Sequence, residues 1–198
     1  MIKNRMKKTI RKTVVGFALL AGIVTGGVNP ASADTLKDSN GNSIVAGHKY
    51  YMEPYEFPGQ GLAYEEWSGD LWAKLGSTPD QTVTIEQSGN SVRLKTDKQG
   101  LINESTWGPI VPVNIYLGIH PTTDGVALVY NLYPSNEQWW IPTEPTEDMN
   151  PDVAARNYFA FKNYYSHKFM SVGDSGGWLT TNKSTMDSKT MWRLVPKQ

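Results

Sequence analysis

From Lys49 onward the chain breaks into short runs in which apolar and polar residues alternate, with Gly, Asn, Asp or Pro between the runs. Alternation of this kind marks half-buried β-strands, because successive side chains point to opposite faces. Twelve segments qualify: 49–53 (KYYME), 61–66 (GLAYEE), 71–75 (LWAKL), 81–87 (QTVTIEQ), 91–96 (SVRLKT), 112–118 (PVNIYLG), 125–131 (GVALVYN), 138–142 (QWWIP), 158–162 (YFAFK), 168–172 (KFMSV), 178–182 (WLTTN) and 190–195 (TMWRLV). A helix is expected only at 151–156, where Asn150 can cap and Pro151 can take the first helical position. The twelve strands fall into three fours. The fourth of each set places a large apolar residue at Val83, Trp139 and Trp192, 56 and 53 residues apart, with a second two places on at Ile85, Ile141 and Leu194. A period of this length marks one supersecondary unit repeated. Residues two apart share a strand face, so each repeat is expected to give an equivalent pair to a common core. Two stretches stand outside the repeat, 97–110 as a long insertion loop and 143–156 as an acidic, Pro-rich connection. Loops of such length usually bind something or move.

Three repeats of four strands predict an all-β chain and, more narrowly, a β-trefoil, in which six strands close into a barrel and three hairpins cap it. Closure removes the edges that an open sheet must protect. An immunoglobulin-like sandwich would meet the strand count without the threefold period. The repeats are expected at about 48–88, 89–144 and 157–198 within a single domain, 34–198. The last of them, FAFKNYYSHKFMSVGDSGGWLTTNKSTMDSKTMWRLVP, resembles a ricin-type lectin repeat in the order of its strands, its Asp-Ser-Gly-Gly turn and its closing W-R-L-V. At the other end Asp38, Gly41, Asn42, Ile44, Gly47, Tyr50, Tyr51 and Met52 resemble the Kunitz (soybean trypsin inhibitor) opening motif, D-x-x-G-N-x-L-x-x-G-x-x-Y-Y-I. Both families are β-trefoils, so the two resemblances imply one architecture. Read without them, Asp-Ser-Asn-Gly-Asn is turn chemistry with Gly41 able to take positive φ, and Tyr50 and Met52 face one way while Tyr51 faces the other.

The first residues alter this picture. MIKNRMKKTIRK, the apolar stretch 13–28 and Ala31-Ser32-Ala33 have the order of a secretory signal peptide, with cleavage expected after Ala33. A membrane anchor is the alternative, but the apolar stretch falls short of the roughly 20 residues a span requires. Taking the leader's six basic residues from the total of 19 leaves 13 against 19 acidic ones, a net charge near −6. With no basic run, nucleic acid is not an expected partner. The chain holds no cysteine, which excludes disulfides and thiolate metal sites and suits export from a Gram-positive bacterium.

Catalytic and metal-binding patterns are sparse. His48, His120 and His167 fall in separate repeats, and the chain carries no Gly-x-Ser-x-Gly turn, HExxH helix or Gly-rich phosphate loop. The acids of EPTEDMNPD supply hard oxygen donors in a spacing that matches no EF-hand, so no metal and no cofactor are expected. Protease inhibition, which the Kunitz resemblance implies, requires an exposed loop between the fourth and fifth strands. Here that link is a tight Ser-Gly-Asn turn, and Arg93 lies beyond it within a strand.

Sugar binding fits better. Seven Trp and ten Tyr supply aromatic faces that, beside Asp, Asn and Gln, hold the apolar face and hydroxyls of a sugar. The Q-x-W motif of ricin-type lectins is met by Gln138-Trp139-Trp140, whereas Gln81-Thr82-Val83 keeps the Gln and Thr190-Met191-Trp192 keeps the Trp. The resemblance implies sugar contacts in repeat three at Asp174, Trp178 and Asn182, with Tyr165 beside them. The expectation is a secreted, non-enzymatic, lectin-like or toxin-associated protein whose partner is a glycan or a host or cell-surface receptor. The alternative partner is a protease.

Overall fold

A computed structural model describes residues 36–103, 110–130, 135–173 and 177–198. The expected leader 1–33 and Asp174 lie outside the described residues. All twelve expected strands are present: β1 (Lys49–Pro54), β2 (Gly61–Trp67), β3 (Asp70–Gly76), β4 (Thr82–Ser88), β5 (Ser91–Asn103), β6 (Ile110–Ile119), β7 (Val126–Tyr130), β8 (Trp140–Thr143), β9 (Phe159–Asn163), β10 (Phe169–Val172), β11 (Leu179–Lys183) and β12 (Met191–Pro196). One short helix, α1 (Pro151–Ala155), forms where expected, with the Asn150 side chain accepting from the Asp152 N–H and Pro151 in the first turn.

Antiparallel pairing runs from β12 to β1, β4, β5, β8 and β9 and back to β12, closing a six-stranded barrel. The other six strands make three hairpins, β2–β3, β6–β7 and β10–β11. These meet one another through Trp72↔Ala127 and the isolated bridges Lys74↔Trp178 and Gly125↔Thr180. Closed barrel and triangular hairpin cap together make the β-trefoil. The core is built from inward residues of every barrel strand, among them Tyr50, Met52, Val83, Ile85, Val92, Leu94, Phe161 and Leu194. Asp38 shapes the entry turn by accepting from the backbone N–H groups of Asn40 and Asn42 at 2.8 and 2.9 Å, and Gly41 takes φ +83°.

The pseudo-symmetric pairs need one correction. In repeats one and three Val83 and Ile85, and Trp192 and Leu194, are buried as expected. In repeat two the buried residue is Trp140 at 0% exposure, and Trp139 and Ile141 are only half-buried. Because the side-chain period of a strand is two, a slip of one residue exchanges the faces. The Q-x-W register, and not the Trp139 spacing, is the one that folds. Two indole bonds explain the choice: Trp140 Nε1 donates to Leu117 O at 2.9 Å and Trp192 Nε1 to Met170 O at 3.2 Å. Each ties a barrel strand to its own repeat's hairpin while burying a ring worth roughly 4 to 6 kcal/mol of gross hydrophobic stabilisation.

The stretch 97–110 also departs from expectation. In place of an irregular loop, β5 runs on to Asn103 and pairs with β6 from Gln99↔Asn114 to Asn103↔Ile110. Residues 104–109 lie outside the described residues. Gly100 sits within the ladder with the Tyr130 ring lying against it, where an added Cβ would come within 2.3 Å.

Candidate functional site

Of the four residues expected to hold a sugar, Trp178, Asn182 and Tyr165 are among the described residues and Asp174 is not. Trp178 sits just before β11, bridged to Lys74, whose ammonium lies 5.3 Å above the indole ring and also pairs with Glu65. Asn182 is exposed on the same face of β11, and its Oδ1 accepts from Thr180 Oγ1 at 3.1 Å and Ser171 Oγ at 3.4 Å. Tyr165 lies elsewhere, in the turn between β9 and β10. That turn is built on Asn163, which is fully buried: its Oδ1 takes the backbone N–H groups of Tyr165 and Ser166, and its Nδ2 donates to Glu137 O at 2.8 Å. Anchored from below, the Tyr165 side chain stands 62% exposed.

Tyr165 borders a cleft of about 360 Å³ shared with His120, Thr122, Asp124, Glu137 and Ser166. The β6–β7 turn forms its wall. Within it His120 N–H donates to Gly125 O at 2.9 Å and Gly125 N–H to Thr123 Oγ1 at 3.1 Å. The backbone oxygen of Asp124 receives both N–H and hydroxyl of Thr181 at 2.6 and 3.0 Å, which leaves the carboxylate facing outward near Lys168 Nζ at 3.4 Å.

His120 is held on three sides. Its Nδ1 accepts from the Thr122 N–H at 3.4 Å and lies 3.1 Å from the Thr122 hydroxyl. An accepting Nδ1 places the proton of the neutral ring on Nε2, which lies 3.3 Å from Asp70 Oδ2. The ring stacks on Trp72 with centroids 4.7 Å apart and planes 28° from parallel. Gly125 makes that stack possible, since a Cβ there would fall 2.3 Å from Trp72 Cζ3. Trp72 is fixed in turn by Nε1 donating to Trp67 O at 3.0 Å. An exposed aromatic face beside two carboxylates and two hydroxyls is a set of groups suited to a polyol with an apolar face. None of His120, Asp124, Trp67, Asp70 or Trp72 was expected at a site, because the β2–β3 and β6–β7 turns come together only in the hairpin cap.

A larger cleft of about 500 Å³ lies between Lys37, Glu144 and Asn157, over Tyr158 and Phe159. Both rings are buried, so no aromatic face is presented there. The β4–β5 link is a two-residue turn closed by Ser88↔Ser91, with Gly89 at φ +58°. Arg93 beyond it pairs with Glu86 at 2.7 Å and lies over the rings of Tyr116 and Trp139 at 4.5 and 4.9 Å. It is thus engaged within the protein where the Kunitz pattern would require a projecting side chain. Among the described residues no group of three or more His, Asp or Glu is placed to hold a metal ion.

No protein-family model matches the chain, and no characterised protein matches it in sequence. Solved structures do match. Lysenin in complex with phosphocholine is 14% identical with a TM-score of 0.54 over 78% of this chain and 46% of that one. The lectin of Polyporus squamosus, bound to the human-type influenza-binding epitope Neu5Aca2-6Galb1-4GlcNAc, is 13% identical with a TM-score of 0.50 over 77% of this chain and 50% of that one. ThreeFoil, a designed three-fold symmetric protein, is 16% identical with a TM-score of 0.50 over 74% of this chain and 97% of that one. The chain therefore spans about half the length of the lysenin and lectin chains and nearly the whole of the design. At these identities the likeness shows the fold alone, and that fold is the β-trefoil.

Proposed function

We propose that this protein is a secreted, non-enzymatic recognition module that binds glycan on a cell or host surface, as a lectin-like or toxin-associated component, through the cleft between the β6–β7 turn and Tyr165. The observation that carries the reading is the Tyr165 ring, 62% exposed at the rim of a cleft that also presents the outward carboxylate of Asp124. A pyranose offers the matching pair of surfaces, a patch of C–H groups for the ring and hydroxyl donors for the carboxylate. The resemblance of repeat three to ricin-type lectins and the fold shared with a sugar-bound lectin support it. Trp178 is a less suitable platform, because the Lys74 ammonium already occupies one face of its ring.

A glycan array tests the reading, followed by affinity measurements on Tyr165→Ala and Asp124→Ala. Each change is expected to weaken binding at least about tenfold, the scale of one aromatic or charge-assisted contact, without loss of stability. The backbone oxygen of Asp124, and not its side chain, holds β11, so the cap survives the substitution. Binding untouched by both changes, but lost in Trp178→Ala and Asn182→Ala, would move the site to β11. An array with no positive spots would end the glycan reading.

A further inference from the structure

The cleft does not end at His120. The β2–β3 hairpin brings a second aromatic and carboxylate pair beside it, Trp67 and Asp70, which face each other across the last rung of the ladder. Trp67 is 63% exposed. It stands edge-on to Trp72, centroids 6.1 Å apart, and Trp72 stacks on His120. Asp70 reaches His120 from the same hairpin through Oδ2, and its carboxylate is 54% exposed. His120 itself lines the cleft. Tyr165 with Asp124 at the cleft, and Trp67 with Asp70 in the hairpin, are thus two aromatic and carboxylate pairs, with His120 between them lining the cleft and meeting both Asp70 and Trp72.

The presentation of the second pair is rigid. Trp67 and Asp70 flank the two-residue turn Ser68-Gly69, with φ of +56° and +87°. Positive φ at both central positions is the type I′ geometry that matches the twist of a hairpin. At Ser68 it places a residue with a Cβ in the left-handed region, at a cost of roughly 1 kcal/mol. An exposed tryptophan at the end of a strained, tightly paired hairpin loses little freedom when a ligand covers it, so its contact area converts efficiently into affinity.

We propose that the binding site extends from the cleft along His120 and Asp70 to Trp67, so that the protein reads an oligosaccharide of two or more rings and not a lone sugar. This rests on the glycan reading above. One ring lies against Tyr165 with its hydroxyls on Asp124. A further ring of the same chain lies against Trp67 with a hydroxyl on Asp70, and His120 marks the link between them. The contiguity of the two pairs through one side chain distinguishes this from two separate monosaccharide sites.

Isothermal titration of the purified protein with galactose, N-acetylglucosamine, N-acetyllactosamine and the N-acetyllactosamine tetrasaccharide tests the extension. The tetrasaccharide is expected to bind about tenfold or more tighter than the better monosaccharide. Trp67→Ala is expected to remove that gain and Trp67→Phe to keep part of it, as a smaller ring on the same platform. Thermal melting of both variants reports whether the hairpin is intact. If affinity does not rise with chain length, or if the rise survives Trp67→Ala while Tyr165→Ala still abolishes binding, the extension is overturned and the cleft remains. If none of the four probes binds, the extension is overturned, while the glycan reading stands or falls with the array.

Discussion

Tyr64 keeps its phenol oxygen sealed from water with no hydrogen-bond partner among the described residues. Burial, helped by the nearby carboxylates of Asp97 and Asp80, holds its pKa well above the ordinary 10.0. Tyr116 and Tyr158 are raised as well, again chiefly by burial. In the unfolded chain these phenols ionise near 10, whereas in the folded protein they keep their protons to higher pH. The contribution to stability is therefore complete below pH 10 and is lost as pH rises from there through the folded values. Thermal melts of wild type and Tyr64→Phe from about pH 8 to about pH 12 check this. The variant should lose less stability above pH 10 and be no weaker at neutral pH, since the change removes a buried hydroxyl without a partner. Parallel loss in the two proteins would refute it. Single residues were also where reading the sequence had least to work with. Trp139 and Trp140 are adjacent and chemically identical, and the face each takes is set by the carbonyl of Leu117, 23 residues away.

At the level of elements, the hairpin cap depends on close approaches that alternation cannot reveal. Gly125 lets the Trp72 ring rest on the β6–β7 turn, and that contact orients His120. Gly125→Ala should displace Trp72, cost about 1 to 3 kcal/mol as an overpacking change and weaken glycan binding, although residue 125 itself touches no sugar. Urea unfolding with tryptophan fluorescence gives the first quantity and titration the second. Full stability with full binding in the variant would show that the stack does not position His120. Gly100 teaches the same lesson. In isolation it reads as a loop residue, yet it marks the place where Tyr130 covers a continuous strand.

On the scale of the whole molecule, the first and last strands close the barrel, and an ion pair between the buried Glu53 and the partly buried Arg193 braces the seam. Arg193 meets both Glu53 oxygens at 3.0 Å while its guanidinium lies 5.3 Å over the Tyr158 ring, and Glu53 is 8% exposed. Arg193→Met should cost roughly 2 to 3 kcal/mol by leaving the Glu53 carboxylate buried without its main partner. The double variant Glu53→Met/Arg193→Met should recover much of that loss in urea melts. Equal losses in the single and double variants would mean that the seam rests on apolar packing alone. The sequence by itself determined the number and order of the described strands, the Asn150-capped helix α1, the threefold period and hence the β-trefoil. Each of these follows from local alternation and turn chemistry, which neighbours in the chain carry between them. Only the tertiary structure decided which tryptophan enters the core and that 97–103 is strand. It alone brought His120, Asp70 and Trp67 together. Those outcomes depend on contacts between hairpins of different repeats, about 50 residues apart, and no periodicity within one repeat encodes which turn of the next will lie against it.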